Sequence, residues 1–313
     1  MAARKISNMV FQNRGEKVHC LIIGGSGLIG YTLVEKLKKN HEVTFTYCNH
    51  AVSIKGVNGY QINLENQEYI CSLLDKIKPS LVLHVAAPPS VDAHEKNKER
   101  AYLINVETTR AIVEKTRRMG SKLIYLSTSN VFPPLRRVFY EDDVPAPINF
   151  YGACKLGGEW ATAKNPNHLI VRTDQIYGWN KTGQQKKSFV VNTLEKLQQN
   201  QTVEVCEDWY NRPTYVEDLA LAIERLIELD KVGVYHATGG TYLNRLDWAK
   251  KIADKFEMDG SLVKGIDSGT LNLPATRANT NLDNKKIQKE TKIKMQTIEE
   301  GLKIMKNEKT KLS

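Results

Sequence analysis

The chain has 313 residues, of which 41% are hydrophobic and 26% are charged, the composition of a soluble globular protein. That length allows either one large domain or two closely joined ones. The formal net charge is +10, and much of the lysine lies near the C-terminus, where it alternates with acidic and apolar residues. This alternation predicts a solvated helix face and argues against a nucleic-acid partner.

The cysteine pattern and the hydropathy bear on the location and metal content of the protein. The five cysteines are dispersed without paired spacing, which predicts free thiols in the cytoplasm and no zinc or other metal. No apolar run approaches the length of a membrane span, so no membrane partner is expected. Residues 1–17 are polar and mildly basic and lack the apolar core of a secretion signal, which predicts a disordered N-terminus.

The first predicted elements surround a glycine-rich loop. Residues 18–23 form an apolar run rich in branched side chains, which predicts a buried strand that leads directly into Gly24-Gly25-Ser26-Gly27-Leu28-Ile29-Gly30. Residues 31–39 then predict a helix, and residues 43–47 predict a second strand. Glycines let the backbone turn tightly beside a pyrophosphate, and the following helix N-terminus offers free N–H groups. Strand, loop, helix and strand in this order predict dinucleotide binding.

The end of the second predicted strand bears on the choice of cofactor. In such folds an Asp or Glu about 20 residues beyond the glycine loop binds the ribose hydroxyls of NAD. The segment Thr46-Tyr47-Cys48-Asn49-His50 contains no acid, which leaves room for the 2′-phosphate of NADP beside His50 or Lys55. We therefore predict NADP as the cofactor and keep NAD as the other candidate, because no arginine follows the strand.

Further strands and helices alternate along the next part of the chain. Strands are predicted at residues 60–64, 81–85 and 122–126, and helices at 67–77 and 99–119. This alternation predicts the α/β class, with a Rossmann-type doubly wound parallel sheet and the ligand at the carboxyl ends of the strands. Two turns lie at such ends, Ala86-Ala87-Pro88-Pro89 and Ser127-Thr128-Ser129. The first turn lets backbone approach a flat ligand, although a plain turn explains it equally well.

A tyrosine and a lysine lie four residues apart at the start of the next predicted helix. Tyr151 and Lys155 therefore share one helix face. A nearby ammonium stabilises a phenolate and lowers its pKa, which makes Tyr151 a candidate general acid or base. Such a pair also occurs by chance in many helices, so this interpretation depends on the elements around it.

The ordered set of motifs resembles the extended short-chain dehydrogenases/reductases, and within them the dTDP-4-dehydrorhamnose reductase family. The resemblance runs from about residue 18 to residue 290. Beyond the glycine loop and residues 151–159, its landmarks are Val91-Asp92, Asn105-Val106, Ser127-Thr128, Val131-Phe132, Val171-Arg172-Thr173, Tyr177-Gly178, Arg212-Pro213-Thr214-Tyr215, Asp218-Leu219-Ala220 and Gly233-Val234-Tyr235-His236.

The resemblance implies a role for each residue of the candidate site. It implies that Tyr151 is the proton donor, that Lys155 holds the nicotinamide ribose and tunes the tyrosine, and that Thr128 hydrogen-bonds the substrate carbonyl. It places the substrate also at Ser129 and Gln175. Besides Tyr151 and Lys155, the residues that it assigns to the cofactor are Gly24, Ser26, Gly27, Leu28, Ile29, Gly30, Asn63, Leu64, Ala86, Ala87 and Pro88.

The resemblance also implies a domain organisation. Helices predicted at residues 216–229, 246–256 and 298–305 correspond to a smaller C-terminal lobe that closes over the substrate. The expected organisation is an NAD(P)-binding Rossmann domain at residues 18–172. Residues 173–313 are then mostly a substrate-binding lobe, with segments that return to the Rossmann domain.

Several positions depart from the family pattern, mainly in the half that would bind substrate. Ser129 stands where an acid is usual, Gln175 where an aromatic residue is common, and Ala278 where a proline usually follows the arginine. Residues 135–138 form an insertion whose arginines either supply charge to a diphosphate or lie in a solvated loop. Hydride chemistry is therefore better supported than the identity of the sugar.

Together these patterns predict an NAD(P)H-dependent reductase of a keto group on a nucleotide-diphosphate sugar. A sugar epimerase that keeps NAD tightly bound is an alternative that uses the same three residues. Another is a non-catalytic regulatory subunit of the kind that accompanies methionine adenosyltransferase, which intact Tyr151 and Lys155 do not exclude. A homodimer is the expected assembly, and the pattern fixes neither the sugar nor the nucleotide.

Overall fold

The computed structural model describes residues 17–88, 90–135, 137–180 and 187–312. Its strands, in chain order, are β1 (His19–Ile23), β2 (Glu42–Tyr47), β3 (Asn58–Gln61), β4 (Leu81–His84), β5 (Lys122–Thr128), β6 (Val138–Phe139), β7 (His168–Thr173), β8 (Ile176–Tyr177), β9 (Val203–Cys206), β10 (Tyr210–Asn211), β11 (Thr214–Tyr215), β12 (Gly233–His236), β13 (Leu243–Asn244), β14 (Val263–Ile266) and β15 (Asn281–Leu282). Its α-helices are α1 (Leu28–Leu37), α2 (Gln67–Ile77), α3 (Val91–Lys96), α4 (Lys98–Tyr102), α5 (Thr108–Met119), α6 (Phe150–Thr162), α7 (Phe189–Gln198), α8 (Val216–Glu228), α9 (Arg245–Lys255), α10 (Lys285–Thr291) and α11 (Ile298–Leu312).

A seven-stranded sheet in the order β12-β7-β5-β4-β1-β2-β3 forms the centre of the molecule. All of its strand pairs are parallel. Apolar side chains of α1 and α8 pack on one face, and those of α2 and α5 pack on the other. The strand order reverses between β1 and β4, which is where doubly wound sheets open a ligand crevice. The predicted Rossmann-type doubly wound sheet is confirmed.

The C-terminal part of the chain builds a smaller lobe with its own core. Trp248 is 1% exposed and packs among apolar side chains of α7, α9 and α11. Strand β12, however, pairs with β7 at the edge of the central sheet, and α8 packs against the Rossmann core. The boundary at residues 172 and 173 and the binding role of the lobe stay predictions.

The predicted single helix at residues 99–119 is wrong in one respect. The structure divides it into α4, a π-helical turn at Leu103–Glu107, and α5. Inside the turn, the side-chain amide of Asn105 donates to the Ala101 carbonyl oxygen at 2.9 Å. The backbone carbonyl oxygen of Asn105 accepts from Thr109 Oγ1 at 2.8 Å. Single π turns inside α-helices occur often at functional sites, and apolar spacing does not reveal them.

Other sequence predictions have plain outcomes in the structure. Strand β3 is Asn58–Gln61 rather than the predicted residues 60–64, so it begins and ends earlier in the chain, whereas α2 has the predicted bounds. The predicted disordered N-terminus falls almost wholly on residues 1–16, which lie outside the described residues. Within the described part of the chain, no helix is long and apolar enough to cross a membrane. Those same residues contain no cluster of three or more His, Cys, Asp or Glu side chains able to hold a metal ion.

Candidate active site

The glycine loop between β1 and α1 has the tight geometry that dinucleotide binding requires. Gly24 has a φ of +94°, and a side chain at Gly30 would place its Cβ only 2.1 Å from the Gly24 carbonyl oxygen. Gly27 precedes α1 in an extended conformation, without a capping side chain on the first N–H groups of the helix. The loop therefore presents a backbone cradle and a helix N-terminus to a phosphate.

A cavity of about 600 Å³ opens from this loop along the carboxyl ends of β1, β4, β5 and β7. Ten of the residues predicted to bind cofactor or substrate line it, namely Ser26, Gly27, Leu28, Ile29, Ala87, Pro88, Thr128, Tyr151, Lys155 and Gln175. The remaining predicted residues, Gly24, Gly30, Asn63, Leu64, Ala86 and Ser129, are not in its lining. Two of these have local partners, since Asn63 Oδ1 accepts from the Glu65 N–H and the Leu64 carbonyl accepts from Thr108. The structure thus brings residues predicted to bind the cofactor and residues predicted to bind the substrate into one cavity.

One end of the cavity is lined by the segment that follows β2. Cys48, Asn49 and His50 lie in its wall, whereas Lys55 does not. Of the two residues proposed as partners of a 2′-phosphate, only His50 therefore lies at the cavity. The thiol of Cys48 is exposed, so a thiol reagent can modify this end of the cavity.

Tyr151 lies in the first turn of α6, where the local sequence fixes its position. Asn149 caps the helix by accepting the Gly152 N–H at 2.8 Å. A Cβ at Gly152 would come within 2.1 Å of the Asn130 carbonyl oxygen, so only glycine lets the helix approach the end of β5 this closely. This approach places Tyr151 beside Thr128 at the cavity wall.

The hydrogen bonds around Thr128 leave its proton for the tyrosine. Thr128 Oγ1 accepts from the backbone N–H of Asn130 at 3.2 Å and from its side-chain amide at 3.1 Å. Burial raises the pKa of Tyr151, and the hydrogen bond with Thr128 opposes that rise. The negative charge of Asp174 raises the tyrosine pKa further. Tyr151 is therefore a protonated acid at neutral pH, with Thr128 rather than Lys155 as the group that lowers its pKa.

Lys155 is 2% exposed and projects toward the same cavity from α6. Its ammonium lies 4.0 Å from the centre of the Tyr125 ring, a cation–π contact. Burial lowers the pKa of Lys155 to about 7, and the Glu159 carboxylate opposes that shift. An ammonium held in such a place is preorganised to hydrogen-bond a hydroxyl or an anion that enters the cavity.

A buried ion pair beneath Lys155 ties α6 to the central sheet. Arg172 donates to both oxygens of Glu159, from Nε at 2.9 Å and from Nη2 at 2.8 Å. The side chains of Arg172 and Glu159 are only 5% and 3% exposed. Ser127 also donates to the Glu159 carboxylate. This network joins the helix that carries Tyr151 to β5, which carries Thr128, and to β7.

Breaking this pair should destabilise the whole fold. We expect Glu159→Gln to lower the free energy of unfolding by about 3–5 kcal/mol, because it leaves the Arg172 charge buried without a carboxylate. Urea denaturation followed by circular dichroism measures the change. Glu228→Gln is the matched control, since that exposed carboxylate pairs with Arg225 on α8 and its loss should have little effect. A loss below about 1 kcal/mol in Glu159→Gln would contradict the assigned role.

The opposite end of the cavity contains residues that sequence reasoning missed. Asp174 is 3% exposed and lines the cavity directly after β7, where its carboxylate accepts the Arg212 N–H at 2.8 Å. Burial raises the pKa of Asp174, and that hydrogen bond opposes the rise. Lys187 and Phe189 also line this end. The only sequence signal for Asp174 is its position directly after Val171-Arg172-Thr173, one of the landmarks of the family resemblance.

Two sequence hypotheses about this end have structural outcomes. Gln175 lines the cavity with a φ of +36°, whereas Ser129 is 1% exposed and outside the cavity lining. In the insertion, Arg137 forms two hydrogen bonds with Asp143 and stacks on Phe139 at 4.2 Å. That arginine is committed to its own loop, which supports the solvated-loop interpretation. Arg136 lies outside the described residues.

Known proteins resemble this chain along most of its length. The family model described as RmlD substrate binding domain matches residues 18–310. Methionine adenosyltransferase 2 subunit beta of Xenopus tropicalis is 28% identical over 86% of this chain and 81% of that protein. The dTDP-4-dehydrorhamnose reductase of Salmonella typhimurium strain LT2 is 28% identical over 79% of this chain and 85% of that protein.

A solved structure extends the similarity to three dimensions. The dTDP-4-dehydrorhamnose reductase of Bacillus anthracis strain Ames, in complex with NADP, superposes with a TM-score of 0.82 and 26% identity. The superposition covers 94% of this chain and 100% of the Bacillus anthracis chain. A match of this extent takes in both the central-sheet part of the chain and the C-terminal part. This chain belongs to the RmlD substrate binding domain family, the dTDP-4-dehydrorhamnose reductase family of the extended short-chain dehydrogenases/reductases.

Proposed function

We propose that this protein is an NADP(H)-dependent oxidoreductase that reduces a keto group on a nucleotide-diphosphate sugar. The observation that carries the proposal is one cavity whose wall holds the glycine loop at one end and Tyr151, Thr128 and Lys155 together near the other. The reductases of Salmonella typhimurium and Bacillus anthracis, the latter in complex with NADP, support the same reaction class.

The residues present fit a nicotinamide dinucleotide. The N–H groups at the start of α1 suit a pyrophosphate, and glycine at position 30 lets the helix pack directly against the backbone of the glycine loop, where a Cβ would clash with the Gly24 carbonyl oxygen. Cys48 to His50 would border the adenosine ribose, and the Lys155 ammonium would hold the nicotinamide ribose. When bound, the reduced cofactor supplies the hydride that is transferred to the carbonyl carbon.

The chain's own residues supply the rest of the chemistry. Tyr151 is protonated at neutral pH because burial raises its pKa, so it can give its proton to the carbonyl oxygen of the substrate. With substrate bound, Thr128 would donate its single proton to this oxygen instead of to Tyr151, and it would stabilise the charge that develops there. Lys155 and Asp174 are only 2% and 3% exposed, and electrostatic interactions of groups buried in this way are stronger than those of exposed groups.

The direct test is oxidation of NADPH with a panel of 4-keto nucleotide sugars, followed by product analysis. We expect loss of the NADPH absorbance with at least one sugar, together with a product that gains two hydrogens. An epimerase would convert its sugar without net oxidation of NADPH. Absence of turnover and of epimerised product across the panel would contradict both enzymatic functions.

The cofactor preference can be tested by binding alone. We expect NADPH to bind at least as tightly as NADH, because no carboxylate lies where Cys48, Asn49 and His50 line the cavity. Calorimetric titration with both cofactors measures the two dissociation constants. Bound NADPH should also slow alkylation of Cys48 by a maleimide, while the half-buried Cys71, outside the cavity lining, serves as the control. Clear preference for NADH, or an unprotected Cys48, would contradict the placement.

A regulatory subunit is the second candidate function. The similarity to methionine adenosyltransferase 2 subunit beta favours it, since that match spans 86% of this chain. The departures at Ser129 and Gln175 fall in the substrate half, where a non-catalytic protein tolerates change. Co-purification with a catalytic polypeptide, combined with NADPH binding but no turnover, would support this function over the reductase.

The location and the assembly complete the proposal. We propose a cytoplasmic location because all five cysteines are free thiols. A disulfide found in material isolated under thiol-blocking conditions would contradict it. The predicted homodimer stays a prediction, and light scattering of the purified protein would measure its molar mass.

A further inference from the structure

A buried histidine lies directly against the ring of the proposed acid. His94 is on α3, the short helix between the Ala-Pro turn and the π-helical turn, and it is 1% exposed. Its ring centre lies 4.8 Å from that of Tyr151, at an interplanar angle of 69°. This edge-to-face geometry is a favoured arrangement of aromatic rings.

The hydrogen bonds of His94 determine which nitrogen carries its proton. Nδ1 lies 2.6 Å from the Ser90 carbonyl oxygen, which can only accept, so Nδ1 is the protonated nitrogen. Nε2 lies 3.1 Å from the side-chain nitrogen of Asn105, which can only donate. The imidazole is therefore neutral, and each of its nitrogens contacts a protein group.

The π-helical turn explains why Asn105 reaches this imidazole. The same amide nitrogen of Asn105 donates to the Ala101 carbonyl oxygen at 2.9 Å, which fixes the orientation of the amide. The extra residue of a π turn aims Asn105 toward α3, and a regular helix would rotate it away. Ser90 and Asn105 thus hold the imidazole of His94 from its two nitrogens, an arrangement that we call the clamp, and Ser90 itself lines the cavity. The clamp thus links the cavity wall to the helix layer behind it.

We propose that His94 is a positioning residue for Tyr151: its imidazole, clamped between Ser90 and Asn105, holds the phenol ring so that the hydroxyl meets Thr128 and the substrate carbonyl. His94 is not itself a proton donor to substrate, because both ring nitrogens are occupied by protein groups. Its effect on the reaction comes from the angle at which it holds the tyrosine. A misplacement of about 1 Å at a reacting group can lower the rate about 100-fold.

The kinetic test uses two variants of His94 and a matched histidine. His94→Ala should lower kcat about 10- to 100-fold while leaving the NADPH dissociation constant unchanged, because it frees the ring of Tyr151 without touching the glycine loop. His94→Phe keeps an aromatic wall and should retain more of the turnover. His168→Ala is the control, since His168 also binds a backbone carbonyl, that of Asn165 at 2.7 Å, but lies outside the cavity. Added imidazole should partly restore the alanine variant.

The kinetic arm rests on the proposed reductase function, so a second measurement addresses the ring directly. Fluorine NMR of the protein with 3-fluorotyrosine at position 151 reports the two orientations of that ring. We expect separate resonances in the parent and in His168→Ala, and one merged resonance in His94→Ala, where the ring turns freely. Absence of turnover in the parent would overturn the reductase function, and the fluorine spectrum would then decide by itself whether His94 holds the ring of Tyr151. Identical spectra in the parent and His94→Ala, or unchanged kcat in a folded His94→Ala, would overturn the proposal.

Discussion

Tyr151→Phe should lower turnover of the keto sugar by about two to four orders of magnitude, the usual contribution of a general acid. The substitution keeps the ring, its edge-to-face contact with His94 and its packing, and it removes only the transferable proton. Cofactor binding should change little, because the glycine loop and Lys155 are untouched. Initial rates of NADPH oxidation, with calorimetry of NADPH binding to both proteins, measure the two effects.

The regulatory function gives the opposite expectation for the same variant. If the chain is a non-catalytic subunit, the parent has no turnover and Tyr151→Phe binds the catalytic polypeptide as the parent does. An active parent whose Tyr151→Phe variant keeps full turnover would refute the proton transfer proposed for this residue. A native circular dichroism spectrum of the variant is the control for folding.

Lys155→Met should strongly lower activity and yet stabilise the protein at neutral and lower pH. Burial lowers the pKa of Lys155 from 10.5 to about 7, so the folded state opposes the charge that the unfolded chain carries freely. The destabilisation is complete below the folded pKa, and it disappears as the pH rises toward the unfolded value. At about 1.4 kcal/mol for each unit of pKa, the variant should gain up to about 5 kcal/mol at acidic pH.

Urea denaturation of parent and Lys155→Met at pH 6 and pH 9.5 tests the sign of this effect. The stability difference should be larger at pH 6, because the parent carries the buried ammonium there. A difference that grows with rising pH would contradict the lowered pKa of Lys155. The same variant should lose NADPH affinity, since the ammonium is the group that we propose to hold the nicotinamide ribose.

The double variant separates cooperation from independent action. Lys155 and Tyr151 lie one helical turn apart on α6 and would act on the same reaction step. Combining Tyr151→Phe with Lys155→Met should therefore lower turnover much less than the product of the two single losses. Full additivity would mean that the lysine serves only cofactor binding.

The sequence alone determined the architecture, and it located the glycine loop and the pair of Tyr151 and Lys155. Alternation of apolar strands with helices predicts a doubly wound sheet because both periodicities are local properties of the chain. The glycine loop could be recognised because close backbone packing allows only glycine at Gly30. The i and i+4 spacing of Tyr151 and Lys155 likewise follows from helix geometry, and the structure places both at the cavity.

Only the tertiary structure decided the electrostatics and the substrate end. The sequence suggested that Lys155 lowers the pKa of Tyr151, whereas burial dominates both residues and Thr128 supplies the opposing hydrogen bond. Burial and hydrogen bonding depend on residues far apart in the chain, as with Glu159 and Arg172 or with His94 and Asn105. Local sequence patterns do not predict such partners, because a side chain acquires its dielectric surroundings and its contacts only when the helices pack on the sheet.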